Sequence, residues 1–211
     1  MALVKYNNNS LSSVTSAASF PAGAMTLIKT LTASSSSTLQ FVNGSSDVVF
    51  DGTYPIYRFV WVNIHCSQQS GDGEEFQFNL SADTGSNYNV TKTSSYFVAT
   101  HGESGSGESL VYGDSQDLAQ GTGSQVLSAD NDADDDSSNS GELLIFNPSS
   151  TTFVKHYLSN NNYTHSNPLS INSRAGGYAN TTSAIDAIKF EFSAGNIQSG
   201  TIKMYGINYT H

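Results

Sequence analysis

The sequence contains one dense group of potential metal ligands, the acidic stretch SADNDADDDSSNSGE at residues 128–142. Its alternating carboxylates supply the oxygen atoms that calcium prefers. They are Asp130, Asp132, Asp134 and Asp136. The stretch departs from an EF-hand loop, because Asp135 stands where glycine is needed and Gly141 where a bidentate glutamate is needed. We therefore favour a hydrated loop of mutually repelling carboxylates and keep calcium as the alternative cofactor.

A second group of side chains suits recognition of a ligand. It lies in residues 159–184, SNNNYTHSNPLSINSRAGGYANTTSA, a segment rich in asparagine and serine. Aromatic rings stack on sugar faces and planar polar groups form hydrogen bonds, as glycan and protein recognition surfaces require. The candidate residues are Tyr163, His165, Arg174 and Tyr178. The same side chains could instead fix a long loop to its own domain or fill a subunit interface.

No pattern of catalytic residues stands out in the sequence. A G-x-S-x-G nucleophile turn is absent. His65 and Cys66 are neighbours on a predicted strand, so their side chains point to opposite faces and cannot act together. The histidines show no zinc-site spacing. We therefore predict that the protein is not an enzyme. Two carboxylates brought together by folding, as glycoside cleavage needs, remain the alternative.

Charge and cysteine content limit the partners and the compartment. Eight basic residues face 18 acidic ones, and the net charge of -10 opposes the phosphates of nucleic acids and anionic lipid surfaces. We predict neither nucleic acid nor membrane as a partner. Cys66 is the single cysteine, and the first residues lack the apolar core of a signal peptide, so we expect folding in a reducing cytoplasm.

The elements that must position these residues are predicted to be strands. Short apolar or alternating runs recur between clusters of Gly, Ser, Asn and Asp, which indicates about ten strands. Helical periodicity is limited to a possible turn near DSQDLAQ (114–120). EFQFNL (75–80) and IKFEFS (188–193) alternate, as half-exposed antiparallel strands do. YRFVWVNI (57–64) and ELLIFN (142–147) are apolar on both faces, which predicts central strands covered on both sides or partly covered by another subunit.

Fold class and domain organisation follow from this pattern. Many short strands with glycine-rich turns predict an all-β fold, a sandwich or a barrel, as one domain over residues 25–211. Residues 1–24 have no sustained period and predict an extended N-terminal arm. Three long polar segments, 101–123, 129–141 and 159–184, are expected to be loops that carry any recognition function.

Three phrases, together with the opening MALVKYNNNSLSSVT, resemble a known group of proteins. They are TGSNYNVTKTSSYF (84–97), LIFNPSSTTFVKHYL (144–158) and TTSAIDAIKFEFSAGNIQSGTIKMYGI (181–207). The chain is similar over nearly its whole length to virion structural and tail-fibre-like proteins of marine tailed phages, which infect cyanobacteria and similar ocean bacteria. The resemblance implies an antiparallel β-sandwich of the jelly-roll type that assembles around a symmetry axis.

The resemblance also implies a role and a location. We expect a non-enzymatic structural protein on the exterior of a virion that is assembled in the host cytoplasm, of tail-fibre or receptor-binding type. Its expected partners are other copies of itself, with a trimer as one option, and other virion proteins through the arm. A host surface glycan or protein would be the adhesion target. The alternatives are a capsid decoration or head-fibre protein and a glycan-cleaving enzyme on a β-sandwich.

Overall fold

The computed structural model describes residues 25–68 and 73–208, and in these ranges the chain is all-β, as predicted. Its twelve strands are β1 (Met25–Thr32), β2 (Leu39–Val42), β3 (Ile56–Cys66), β4 (Glu74–Ser81), β5 (Lys92–Gly102), β6 (Ser109–Tyr112), β7 (Gln125–Asn131), β8 (Asn139–Phe146), β9 (Lys155–Thr164), β10 (Leu169–Ala179), β11 (Ala187–Phe192) and β12 (Ile197–Ile207). The predicted arm, residues 1–24, lies outside the described residues. Within those residues no helix has the length and hydropathy needed to cross a bilayer.

The strands form two antiparallel sheets that pack face to face as a β-sandwich. The larger sheet has eight strands in the order β1-β12-β3-β8-β9-β10-β5-β6, and the smaller has four in the order β2-β11-β4-β7. The prediction that β3 and β8 are central strands is confirmed, because they are neighbours inside the larger sheet. The jelly-roll type of sandwich remains a prediction.

An aromatic core joins the two sheets. Phe190 of the smaller sheet lies 5.6 Å, between ring centroids, from Phe59 of the larger one, and Phe76 lies 5.6 Å from Trp61. All four rings are fully buried. The alternation of Phe and polar residues in β4 and β11 therefore places these rings inside, as the sequence predicted. Large rings in edge-to-face and tilted pairs contribute a large apolar area to this core.

A buried polar network lies beside the aromatic core. The Trp61 indole N–H donates to the Asn139 Oδ1 at 2.7 Å, and the Asn139 amide donates to the Ser128 hydroxyl and to the Asn131 Oδ1. Asn131 in turn donates to the Glu74 carbonyl at 2.6 Å. Buried polar groups need such partners, so the network fixes the position of β7 against β3 and β8.

The expectation of three long polar loops is wrong. Residues 159–184 fall mostly in β9 and β10, which form a hairpin, and β6 lies within residues 101–123. The loop between β7 and β8 is shorter than expected, since β7 ends at Asn131 and β8 begins at Asn139. The physical reason is that several inward positions near the centre of this hairpin are polar, namely Ser159, Asn161 and Ser173. Asn161, for example, is buried and donates to the Ser173 hydroxyl at 3.3 Å.

The larger sheet has a second surface, which points away from the four-stranded sheet. We call it the open face, because no other described strand lies over it. Several large apolar side chains remain exposed there, among them Val62 at 45%, Phe97 at 41% and Leu158 at 54%. The described part of the chain thus covers β3 and β8 on one side. Cover by another subunit remains a prediction.

Candidate functional site

The structure separates the four predicted recognition residues. Tyr163 is 3% exposed, and its hydroxyl accepts a hydrogen bond from the Ala129 N–H at 3.2 Å, so its ring is part of the interior. Burial raises the pKa of this phenol. Tyr178 lies on the open face with its ring centroid 6.1 Å from that of His156. Arg174 is exposed on the same face. Tyr163 therefore cannot offer a stacking surface in this structure.

His165 lies next to the acidic stretch, outside β10, whereas Arg174 lies within that strand. Its Nε2 is 3.5 Å from the Asp130 carboxylate, and its Nδ1 accepts a hydrogen bond from the Asn167 N–H at 2.9 Å. Asp132 is occupied locally, since its carboxylate accepts from the Ser137 hydroxyl at 2.6 Å and from the Asp134 N–H at 3.3 Å. These bonds order the turn between β7 and β8.

Part of the acidic stretch lines a polar pocket of about 340 Å³. The pocket includes Glu103, Asp132, Asp134, Asp136 and His165. In residues 25–68 and 73–208, however, no three His, Cys, Asp or Glu side chains are arranged to hold a metal ion. The calcium site therefore remains a prediction from the spacing of the carboxylates in the sequence.

The open face carries a more varied set of groups, arranged in rows by the register of the strands. One row runs Arg58, Leu144, Leu158, Gly176, Ser95 across β3, β8, β9, β10 and β5. The next row runs Val60, Glu142, Asn160, Arg174, Phe97 across the same strands. Four strand spacings separate β3 from β5, which is about 19 Å. Residues far apart in sequence are thus neighbours on the open face of the sheet.

Two adjoining grooves follow these rows. The first, which we call the Arg174 groove, has a volume of about 420 Å³ and lies between the two rows, with Leu158 and Gly176 on one side and Phe97 and Arg174 on the other. The second has a volume of about 400 Å³ and is lined by asparagines on β9 and β10. Glu142 and Asn160 line both grooves. Together they form one long, shallow depression.

Gly176 keeps the floor of the Arg174 groove open. A Cβ atom at this position would lie 3.2 Å from the Leu158 Cδ2 atom, so any side chain here would push against Leu158. With glycine, Leu158 rests over the bare backbone and leaves the groove accessible. The groove thus combines an apolar wall with an exposed backbone and a cationic side chain. Ligand sites in proteins commonly have this mixture of apolar surface and a few polar groups.

Asparagine side chains offer hydrogen-bonding groups in the second groove. Asn172 donates to the Asn160 Oδ1 at 2.9 Å and to the Asn161 carbonyl at 2.6 Å, while Asn162 donates to the Ile171 carbonyl at 3.0 Å. These bonds fix the amides in place. Among the described residues, the Asn160 amide nitrogen has no acceptor. It is therefore a preordered donor that a ligand in either groove could use.

The charges of the eight-stranded sheet differ from those of the whole chain. Six of the eight basic residues lie in its strands: Lys29, Arg58, Lys92, Lys155, Arg174 and Lys203. Glu142 is the one acidic residue in the same strands, out of 18 in the chain. Its carboxylate lies 2.6 Å from the Arg58 Nε. Among the described residues, the Arg174 guanidinium makes neither an ion pair nor a hydrogen bond.

Comparisons with known proteins give no further information about this site. No protein family, no curated protein and no solved structure matches the chain. The site must therefore be interpreted from its own geometry. Sequence reasoning found Arg174 and Tyr178 but missed Phe97, Glu142, Leu158 and Asn160, because only the strand order brings them together. The available signal for β9 was the pair Tyr157 and Tyr163, whose even spacing places both rings on one face of a strand.

Proposed function

We propose that this chain is a non-enzymatic surface module of a tailed phage particle, of tail-fibre or receptor-binding type, that binds a host surface glycan through the open face. The observation that carries the proposal is the pair of grooves on a sheet face over which no other described strand lies. Exposed Leu158 and Phe97 suit the apolar faces of sugar rings, and fixed asparagine amides suit sugar hydroxyls. The phage context comes from the resemblance of the sequence.

The chemistry of the open face supports binding and gives no support to cleavage there. Glycoside hydrolysis uses two carboxyl groups that flank the scissile bond. The strands of the eight-stranded sheet contain one carboxylate, Glu142, and it is paired with Arg58. A ligand on this face would therefore be held without being cut.

The proposal includes self-association. β6 is an edge strand of the larger sheet, and its apolar side chains are exposed, with Leu110 at 73%, Val111 at 50% and Tyr112 at 56%. An exposed apolar edge is a surface on which another chain can pair. Several copies would also present several open faces to a repeating polysaccharide, which raises the avidity of a weak site. Light scattering should give a mass above that of one chain, and a Val111→Lys variant should lower it.

The adhesion proposal is tested with an array of bacterial surface polysaccharides and a matched pair of variants. The parent chain should bind at least one polysaccharide without releasing reducing sugar ends. Phe97→Ser should weaken binding because it removes a ring from the Arg174 groove. Phe153→Ser is the control, since Phe153 is 68% exposed but lies outside the sheet strands.

Three results would contradict the proposal. Release of reducing ends would favour the glycan-cleaving alternative. Equal loss of binding in both phenylalanine variants would place the binding surface elsewhere. Absence of glycan binding, together with tight binding to empty phage heads, would favour the capsid decoration alternative.

A further inference from the structure

The open face is cationic on a strongly acidic protein, and this contrast indicates the class of its ligand. Arg58, Arg174 and Lys203 occupy outward positions of the sheet, against the single carboxylate of Glu142. The whole chain carries a formal net charge of -10. The outward positions of these strands thus carry an excess of two positive charges, whereas the rest of the chain is negative. Glu108, which precedes β6 at the edge of the sheet, lies 3.6 Å from His101. Local charge of one sign on a recognition surface selects ligands of the opposite sign.

The three other basic side chains of the sheet do not alter this balance. Lys29, on the edge strand β1, donates to the Ser46 carbonyl at 2.7 Å. Lys92 and Lys155 are buried and bond to acceptors of the interior, namely the Asn79 amide and the Thr181 carbonyl. They point away from the open face and are not available to a ligand. The cations that a ligand meets are therefore the three at outward positions.

Arg174 is the cation best placed to contact a ligand. It lines the first groove, and its Cα partners across the sheet are Asn160 on β9 and Phe97 on β5. Arg58, by contrast, is held by Glu142 at 2.6 Å. A planar guanidinium binds carboxylate or sulfate groups through two parallel hydrogen bonds. The Asn160 amide nitrogen beside it adds a neutral donor.

From this geometry we infer that the Arg174 groove binds an acidic sugar, a glycan unit that carries a carboxylate or sulfate group. The anion pairs with Arg174, the ring lies against Leu158 and Phe97, and Asn160 donates to a hydroxyl. This inference rests on the proposed glycan-binding function and adds the charge of the ligand to it. The apolar wall of Leu158 and Phe97 and the neutral Asn160 donor suit a sugar ring beside one acidic group. A nucleic acid backbone is instead held by several cations along its phosphates, and Arg174 is the cation that lines this groove.

The test compares polysaccharides that differ in charge. The full chain is titrated by affinity electrophoresis with polygalacturonate, which carries carboxylates, with dextran sulfate, and with neutral dextran. We expect binding to at least one anionic polymer and weaker binding to dextran. The affinity for the anionic polymer should fall as salt is added, because exposed charges are screened.

Single-residue variants test whether Arg174 is the cation that binds the anionic polymer. Arg174→Gln should weaken binding to the anionic polymer roughly tenfold or more. Lys189→Gln is the matched control, because it removes the same charge from β11 of the smaller sheet. Glu142→Gln should tighten binding, since it removes the one carboxylate in the strands of this sheet and frees Arg58. Unchanged thermal midpoints show that the variants are folded.

The outcomes separate this inference from the proposed function. Equal binding of dextran and the anionic polymers, with no effect of Arg174→Gln, would overturn the inference and leave glycan binding intact. Failure to bind any polysaccharide, in this panel and in the array, would overturn both. Binding of a single-stranded DNA oligonucleotide as tightly as polygalacturonate would overturn the assignment to a sugar.

Discussion

Lys92 is buried at the start of β5, and its charge should make the stability of the protein depend on pH. Its Nζ donates to the Asn79 Oδ1 at 2.6 Å and to the Val90 carbonyl at 2.8 Å, two neutral acceptors. Burial removes the hydration of the ammonium group, which lowers the pKa of Lys92 to about 7. The free energy of unfolding should therefore rise when this group loses its proton.

The sign and size of the effect follow from linkage. In the unfolded chain the pKa of a lysine lies near 10.4, so above about pH 7 the unfolded state binds more protons than the folded state. Stability then increases with pH across the window between these two values. Between pH 7 and pH 9 the rise due to Lys92 is about 2 kcal/mol.

The assay is urea unfolding at pH 7, 8 and 9, followed by the fluorescence of Trp61, the one tryptophan of the chain, which is fully buried. In Lys92→Met the rise in the free energy of unfolding from pH 7 to pH 9 should be smaller than in the parent by about 2 kcal/mol. Lys29→Met is the control, because Lys29 makes only an exposed bond to the Ser46 carbonyl.

Other groups also titrate between pH 7 and pH 9, and their contributions cancel when the pH dependence of the unfolding free energy is compared between the parent and Lys92→Met. Burial also lowers the pKa of Lys155, which adds a rise of the same sign, and it raises the pKa of Cys66 to about 11, which acts in the opposite direction above pH 8. Both effects are present in parent and variant. Parallel stability curves for the parent and Lys92→Met would refute the reasoning.

Three further predictions concern packing. Gly177→Ala should lower the free energy of unfolding by roughly 1–3 kcal/mol, measured in urea, because the new Cβ atom would lie closer than 3.0 Å to the backbone of β5. Gly123→Ala is the control and should be neutral, since a Cβ atom there meets nothing within 4 Å. Cys66, at 1% exposed, should resist thiol reagents at pH 8 until urea unfolds the chain, and rapid labelling of the native protein would contradict its burial. Trp61→Phe should lower the free energy of unfolding by roughly 2–3 kcal/mol, because it leaves the Asn139 Oδ1 without its indole donor. Urea unfolding followed by circular dichroism measures this loss. A loss near zero would show that the buried network does not need this bond.

The fold class followed from the sequence wherever large apolar residues alternate. Phe76 and Phe78 in β4, like Phe190 and Phe192 in β11, mark their inward faces, and both strands lie where they were predicted. A short apolar run does not by itself indicate a strand, since DVVF (47–50) is not a strand although Val48 and Phe50 are buried. Burial of side chains alone does not require a sheet partner for the backbone.

The part of the β9–β10 hairpin that lies within residues 159–184 was missed because its interior is largely polar. Its inward positions include Ser159, Asn161, Ser173 and Ala175, which hydropathy does not distinguish from a loop. Hydrogen bonds make this interior stable, such as the bond from the Ser173 hydroxyl to the Leu127 carbonyl at 2.6 Å. The set of residues on the open face was also missed. Which residues are neighbours there depends on the order of the strands in the sheet, and this order cannot be predicted from local sequence.

The most direct test of the central claim is an NMR titration of the labelled chain with a polysaccharide fragment that it binds. The chain has two arginines, so the side-chain Nε signals of Arg58 and Arg174 can be assigned by substitution. We predict that the Arg174 Nε and the Asn160 side-chain amide shift together with the backbone amides around Phe97. Shifts confined to the acidic pocket around Asp132 and His165, with Arg174 unchanged, would contradict a binding site on the open face.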